Sequence, residues 1–151
     1  MQDLVRYLGI DRQSQSLARQ LWRFLDEPST EIIASFYRDT RQSEAGLLLD
    51  EPTIERLKIK QKEHWRALFN SGFDDAYQRS VTMIGIKHYE IGLDPKWYIA
   101  GYALIKSRFA EKVLQAPVPM GLKSALIVTL DKYVALDTAL ALSTYSSWLV
   151  D

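Results

Sequence analysis

At 151 residues, with 47% hydrophobic content and 19 acidic residues balanced by 19 basic ones, the chain is sized for one globular domain, taken as residues 1–151. No segment gathers Lys and Arg into the stripe that a phosphate backbone requires, which excludes nucleic acid as a partner. The sequence has no cysteine, so disulfides, iron–sulfur clusters and thiolate zinc sites are excluded together, and His64 and His88 are left as the nitrogen ligands for any metal. The N-terminus lacks a basic start followed by an apolar run, and no stretch approaches the roughly 18 apolar residues of a membrane span. A cytoplasmic protein with no membrane contact is expected.

Hairpin turns and sustained alternation are missing, while apolar residues recur at i, i+3 and i+4 almost throughout, so the chain reads as all-α. A short helical turn is expected around Leu4 to Leu8. A helix from about Ser14 to Asp26 carries Leu17, Leu21, Trp22 and Leu25 on one face, and Pro28 is expected to break it. Ser29 and Thr30 then cap a second helix, with a stripe of Ile32, Ile33, Phe36 and Tyr37, that ends near Thr40. After an irregular connection, Asp50 and Pro52 start a third helix whose inward face shows Ile54, Leu57, Gln61, His64, Trp65 and Leu68, and Asn70-Ser71-Gly72 stops it. Asp74 and Asp75 open a fourth helix reaching about Ile91, followed by a Gly92 stop and the Asp94-Pro95 start of a long fifth helix. Beyond QAPVPMG a sixth helix runs from Gly121 to Val150.

That last helix has four charged residues, Lys123, Asp131, Lys132 and Asp137, and is apolar around most of its circumference. Such a helix is buried on more than one side. A two-fold interface with a second copy, shared with the fifth helix, is the economical expectation, against a central helix wrapped by its own domain.

On a helical wheel Tyr77, Val81, Ile84 and His88 form one inward stripe, with Gly85 removing a side chain close by so that something flat and bulky can approach. Spacing alone leaves His88 open between a core histidine satisfied by a carbonyl or tyrosine and a metal ligand. Zinc needs more ligands than accompany it. Haem needs one axial histidine and an apolar slot, which this chain can supply. The third helix mixes Leu57 with Lys60, Gln61 and His64, and is either a solvated edge or the opposite wall of a pocket, where His64 packs and hydrogen-bonds or, alternatively, His64 or a deprotonated Lys60 reaches the iron. Tyr37 is either a core tyrosine or a donor to bound dioxygen, worth about 1 to 2 kcal/mol.

The run IGIKHYEIGLDPKWYIAGY, preceded by LKIKQKEHW..LF and FYRDT, resembles the sensor domain of the globin-coupled sensors, over nearly the whole chain and in the same order. The resemblance implies a globin fold, a three-over-three helical sandwich with an extra N-terminal helical segment and no separate D helix. It implies haem b (iron protoporphyrin IX) as cofactor, His88 as the proximal iron ligand, Tyr37 as the distal hydrogen-bond donor, and Leu57 and Tyr98 as residues that line or support the pocket. Ile84, Lys60 and Gln61 complete the candidate cofactor contacts, and no residue is assigned a catalytic role. Lys60 departs from the pattern, since relatives carry a small polar residue such as threonine there. The expected function is gas sensing: binding of O2, with CO and NO as further ligands, and signalling to an output module through a homodimer of the last two helices. Because the chain ends in a helix with nothing to report to, it is expected to be the sensor piece of a longer protein. The alternatives are a haem-free globin-like interaction module and a six-coordinate electron-transfer or gas-detoxifying haem protein.

Overall fold

Each break between helices in the computed structural model coincides with a local chemical stop or start. The structure describes residues 1–150, with side chains through Thr144. Helix α1 spans Gln2–Tyr7, α2 Arg12–Arg41, α3 Glu51–Asn70, α4 Asp75–Glu90, α5 Pro95–Leu114 and α6 Met120–Val150, with a short 3-10 turn at Glu44–Leu48 between α2 and α3. Asp50, Asp74 and Asp94 cap α3, α4 and α5 as expected, their carboxylates accepting from Thr53 N (2.8 Å), Tyr77 N (2.9 Å) and Lys96 N (3.0 Å). Gly92 closes α4 at φ +74. Asp11, with Ser14 in a reciprocal capping box, starts α2.

The expected break at Pro28 does not occur. Pro28 has no N–H for the carbonyl four residues earlier, a loss of about 3 kcal/mol in a helix interior. Yet Ala18, Leu21, Leu25, Ser29, Ile32, Ile33 and Tyr37 fall on one continuous buried stripe across it. Each Leu or Ile so buried contributes roughly 1.5–3 kcal/mol, so the stripe outweighs the proline. Ser29, fully buried, has its hydroxyl satisfied by the Asp26 carbonyl at 2.6 Å.

Helix α2 crosses α3 and α5, while α4 lies along α6 and α5 packs against α6. Between α3 and α4 the chain passes through two left-handed residues, Gly72 (φ 67) and Phe73 (φ 65). For a phenylalanine that conformation costs about 1 kcal/mol or more. Burial of its ring against Tyr77 and Tyr133, at centroid separations of 5.7 and 5.3 Å, offsets the cost.

Helix α6 carries a buried polar group of its own. Asp137, one of its four charged residues, is fully buried and ties four helices together. Its carboxylate accepts from Tyr77 Oη of α4 (2.5 Å), Tyr102 Oη of α5 (2.5 Å) and His64 Nε2 of α3 (2.8 Å). Leu126, Leu130, Tyr133, Leu136 and Ala141 are likewise buried by the rest of the chain. Among the described residues, the exposed positions of α6 include Met120, Ser124, Val128, Asp131, Ala135 and Ala139. Most of its other large apolar side chains are covered within one copy. Among the described residues, no helix is long and apolar enough to cross a membrane.

Candidate functional site

His88 sits in the last turn of α4, half-buried. Its Nδ1 lies 2.6 Å from the carbonyl of Ile84, one turn earlier. A carbonyl only accepts, so Nδ1 carries the proton and Nε2 keeps its lone pair. No described residue bonds Nε2. Burial holds the imidazole below the ordinary histidine pKa, against a smaller upward pull from the Ile84 carbonyl, so the ring is neutral. A neutral imidazole with one N–H anchored on backbone and the other nitrogen free is the arrangement of a metal-ligating histidine.

Around this ring, Gly85, His88, Tyr98 and Ala141 line a crevice too narrow to admit a water molecule. The Tyr98 ring stands edge-on to His88 at 4.8 Å. Its buried hydroxyl lies within reach of Tyr102, the two ring centroids being 4.8 Å apart, and of the Asp137 carboxylate. Burial first, and the Asp137 carboxylate second, raise its pKa, so the proton stays on. Gly85 serves a purpose other than the one expected. A Cβ there would stand 2.5 Å from the Ala141 carbonyl oxygen, so the missing side chain admits the backbone of α6.

On α2, Tyr37 is buried, and its oxygen lies 3.0 Å from Gln61 Nε2 of α3. Burial drives the phenol pKa well up, partly offset by that bond, so Tyr37 is a protonated donor at neutral pH. Leu57 is half-buried on the same helix as Gln61 and packs against the core, as does Ile84.

Two expected members do not join. Lys60 is exposed, because its position on α3 falls to the solvent side of the stripe formed by Leu57, Gln61 and His64. His64 has both ring nitrogens engaged, Nε2 by Asp137 and Nδ1 by Ser80 Oγ at 2.9 Å, so neither is free for a metal. Residue order gave no expectation of these buried partners of His64. Their one signal is Asp137 itself, a lone carboxylate inside the apolar run YVALDTALAL.

The donor chemistry at His88 suits a haem: one neutral imidazole whose Nε2 has no partner among the described residues, with Ile84 one turn away; Leu57 lies on α3 and the protonated Tyr37 phenol on α2. The crevice as it stands is narrower than a porphyrin.

The helices, with the Nε2 of His88 at the end of the fourth left free among the described residues, are arranged as in a globin. The Protoglobin family profile matches residues 1–149, and the chain belongs to that family. Among solved structures, the globin domain of a Geobacter sulfurreducens globin-coupled sensor shares the fold with a TM-score of 0.83 at 17% identity, covering 96% of this chain and 97% of that one.

Proposed function

We propose that this chain is a haem-based gas-sensing domain that takes haem b on His88 and responds to O2, with CO and NO as further ligands. The observation that carries the reading is the His88 ring, whose Nδ1 is held by the Ile84 carbonyl while Nε2 has no partner among the described residues. The ring is half-buried, so Nε2 is open to an entering ligand rather than sealed within the core. When bound, the haem supplies a ferrous iron that takes up and releases a diatomic gas without turnover. Ile84 keeps the imidazole in one tautomer, Leu57 and Ile84 exclude water, and Tyr37 offers its proton to a ligand bearing partial negative charge.

Transmission follows from packing. Gly85 brings α4 against the backbone of α6, so displacement of His88 along α4 is passed to α6 without a side chain to absorb it. In this reading α5 and α6 form a homodimer interface along the exposed positions of α6, and an output module reads its geometry in the cytoplasm. The domain itself is no enzyme. The family match and the globin-coupled sensor fold support this reading.

An absorption spectrum tests it. A Soret band is expected in the purified or haem-loaded protein, with a five-coordinate ferrous form, since His64 is engaged and Lys60 exposed. His88→Ala loses the axial nitrogen, and added imidazole restores it. Absence of haem uptake would sink the proposal and favour a haem-free interaction module, the reading to which the narrow crevice lends weight. A six-coordinate ferrous spectrum without added ligand would favour the electron-transfer or detoxifying alternative.

A further inference from the structure

Tyr37 is bonded through Gln61 to a third residue, and the order of donors along that chain is fixed by chemistry. The Trp65 indole Nε1–H lies 3.4 Å from Gln61 Oε1, and Gln61 Nε2 lies 3.0 Å from Tyr37 Oη. An amide can ordinarily be turned over to exchange its oxygen and nitrogen. Here it cannot be exchanged without loss, because an indole N–H only donates, so the amide atom facing Trp65 must be the oxygen. The NH2 group then faces Tyr37, and an amide NH2 only donates. Tyr37 must therefore use its oxygen as acceptor, which leaves its own proton uncommitted among the described residues. Trp65 is 2% exposed and Tyr37 7%, so water competes little for either bond.

We infer that Gln61, locked by Trp65, is a positioning residue that holds Tyr37 as an acceptor and reserves its hydroxyl proton for an electron-rich ligand. This rests on the gas-sensing reading for its use, though the hydrogen-bond order does not. Donation from Gln61 into the phenol oxygen polarises the O–H, strengthening what Tyr37 can give. The chain thereby discriminates between ligands: O2, which draws electron density and accepts hydrogen bonds, gains from it, whereas CO, a poor acceptor, gains little. Gln61 acts through Tyr37 and does not itself need to touch the ligand.

Two measurements test the inference independently. In the protein as purified, with or without haem, the ultraviolet resonance Raman difference between wild type and Tyr37→Phe isolates this phenol among the eight tyrosines. Its Fermi doublet should have the intensity ratio of an accepting phenol, and Gln61→Leu should abolish that ratio. A donor-type ratio in the wild type would overturn the inference whether or not haem binds. In the haem-loaded protein, Gln61→Glu is the decisive variant: it keeps size and shape but presents an acceptor, which takes up the Tyr37 proton. O2 dissociation should quicken about tenfold, to the Tyr37→Phe level, with CO dissociation unchanged. In a Tyr37→Phe background, Gln61→Leu and Gln61→Glu should add nothing further. An equal Gln61 effect in both backgrounds would show direct ligand contact, and an unchanged O2 rate in Gln61→Glu would show that only shape matters. Either result refutes the positioning role. Trp65→Phe, which frees the amide to turn, should produce a smaller acceleration in the same direction.

Discussion

The molecule contains two histidine environments, and they are built for opposite ends. His64 is buried with both nitrogens consumed, one by the fully buried Asp137 carboxylate and one by Ser80, inside a hub that also draws in Tyr77 and Tyr102. His88 is half-buried with one nitrogen consumed and the other left over. The difference lies in whether each polar atom has been given a partner. A fully satisfied buried cluster joins helices, and an incompletely satisfied one is where a ligand can enter.

The comparison breaks most sharply on stability. His64→Ala takes a hydrogen bond from the buried Asp137 and leaves a cavity, and should cost about 3–5 kcal/mol in chemical unfolding, whereas His88→Ala should cost less than about 1 kcal/mol while abolishing axial coordination. Comparable losses for both would show that His88 is also a structural histidine. Next in size, Gly85→Ala forces a Cβ into the Ala141 carbonyl of α6 and should destabilise by about 1–3 kcal/mol. If that variant unfolds like the wild type, α4 and α6 are not in the close contact that transmission requires. Tyr37→Phe should leave the fold nearly unaffected and raise the O2 dissociation rate about tenfold, read by stopped flow.

The smallest effect is on pH. The His88 pKa is lowered in the folded protein, so below the ordinary value of 6.5 the unfolded chain binds a proton that the folded one resists. Stability should therefore fall as pH drops through 6.5, and this part of the slope should vanish in His88→Leu. A slope that survives unchanged would assign the acid sensitivity to other groups.

Local chemistry is legible in the order of residues alone. Asp50, Asp74 and Asp94 cap because a short carboxylate reaches the free N–H groups of a first turn, and Gly92 stops α4 because it accepts a positive φ. The stripe through Tyr77, Val81 and His88 is equally legible, since helical period needs nothing beyond that order. Pro28 misleads for the same reason: its local penalty is visible in sequence, and the packing that outweighs it is not.

Residue order along each helix thus determined which faces were apolar, where helices begin and end, and that His88 lies on an inward stripe. Only the tertiary arrangement decided which polar atoms meet. Asp137 finds His64 across 73 residues of sequence, Gln61 finds Tyr37 across 24, and Gly85 meets Ala141 of another helix. Hydrogen-bond satisfaction and close backbone approach are properties of pairs brought together by the packing of several helices, and no single segment encodes them. Crossing angles and register between helices consumed the nitrogens of His64, turned Lys60 to solvent and left Nε2 of His88 without a partner among the described residues.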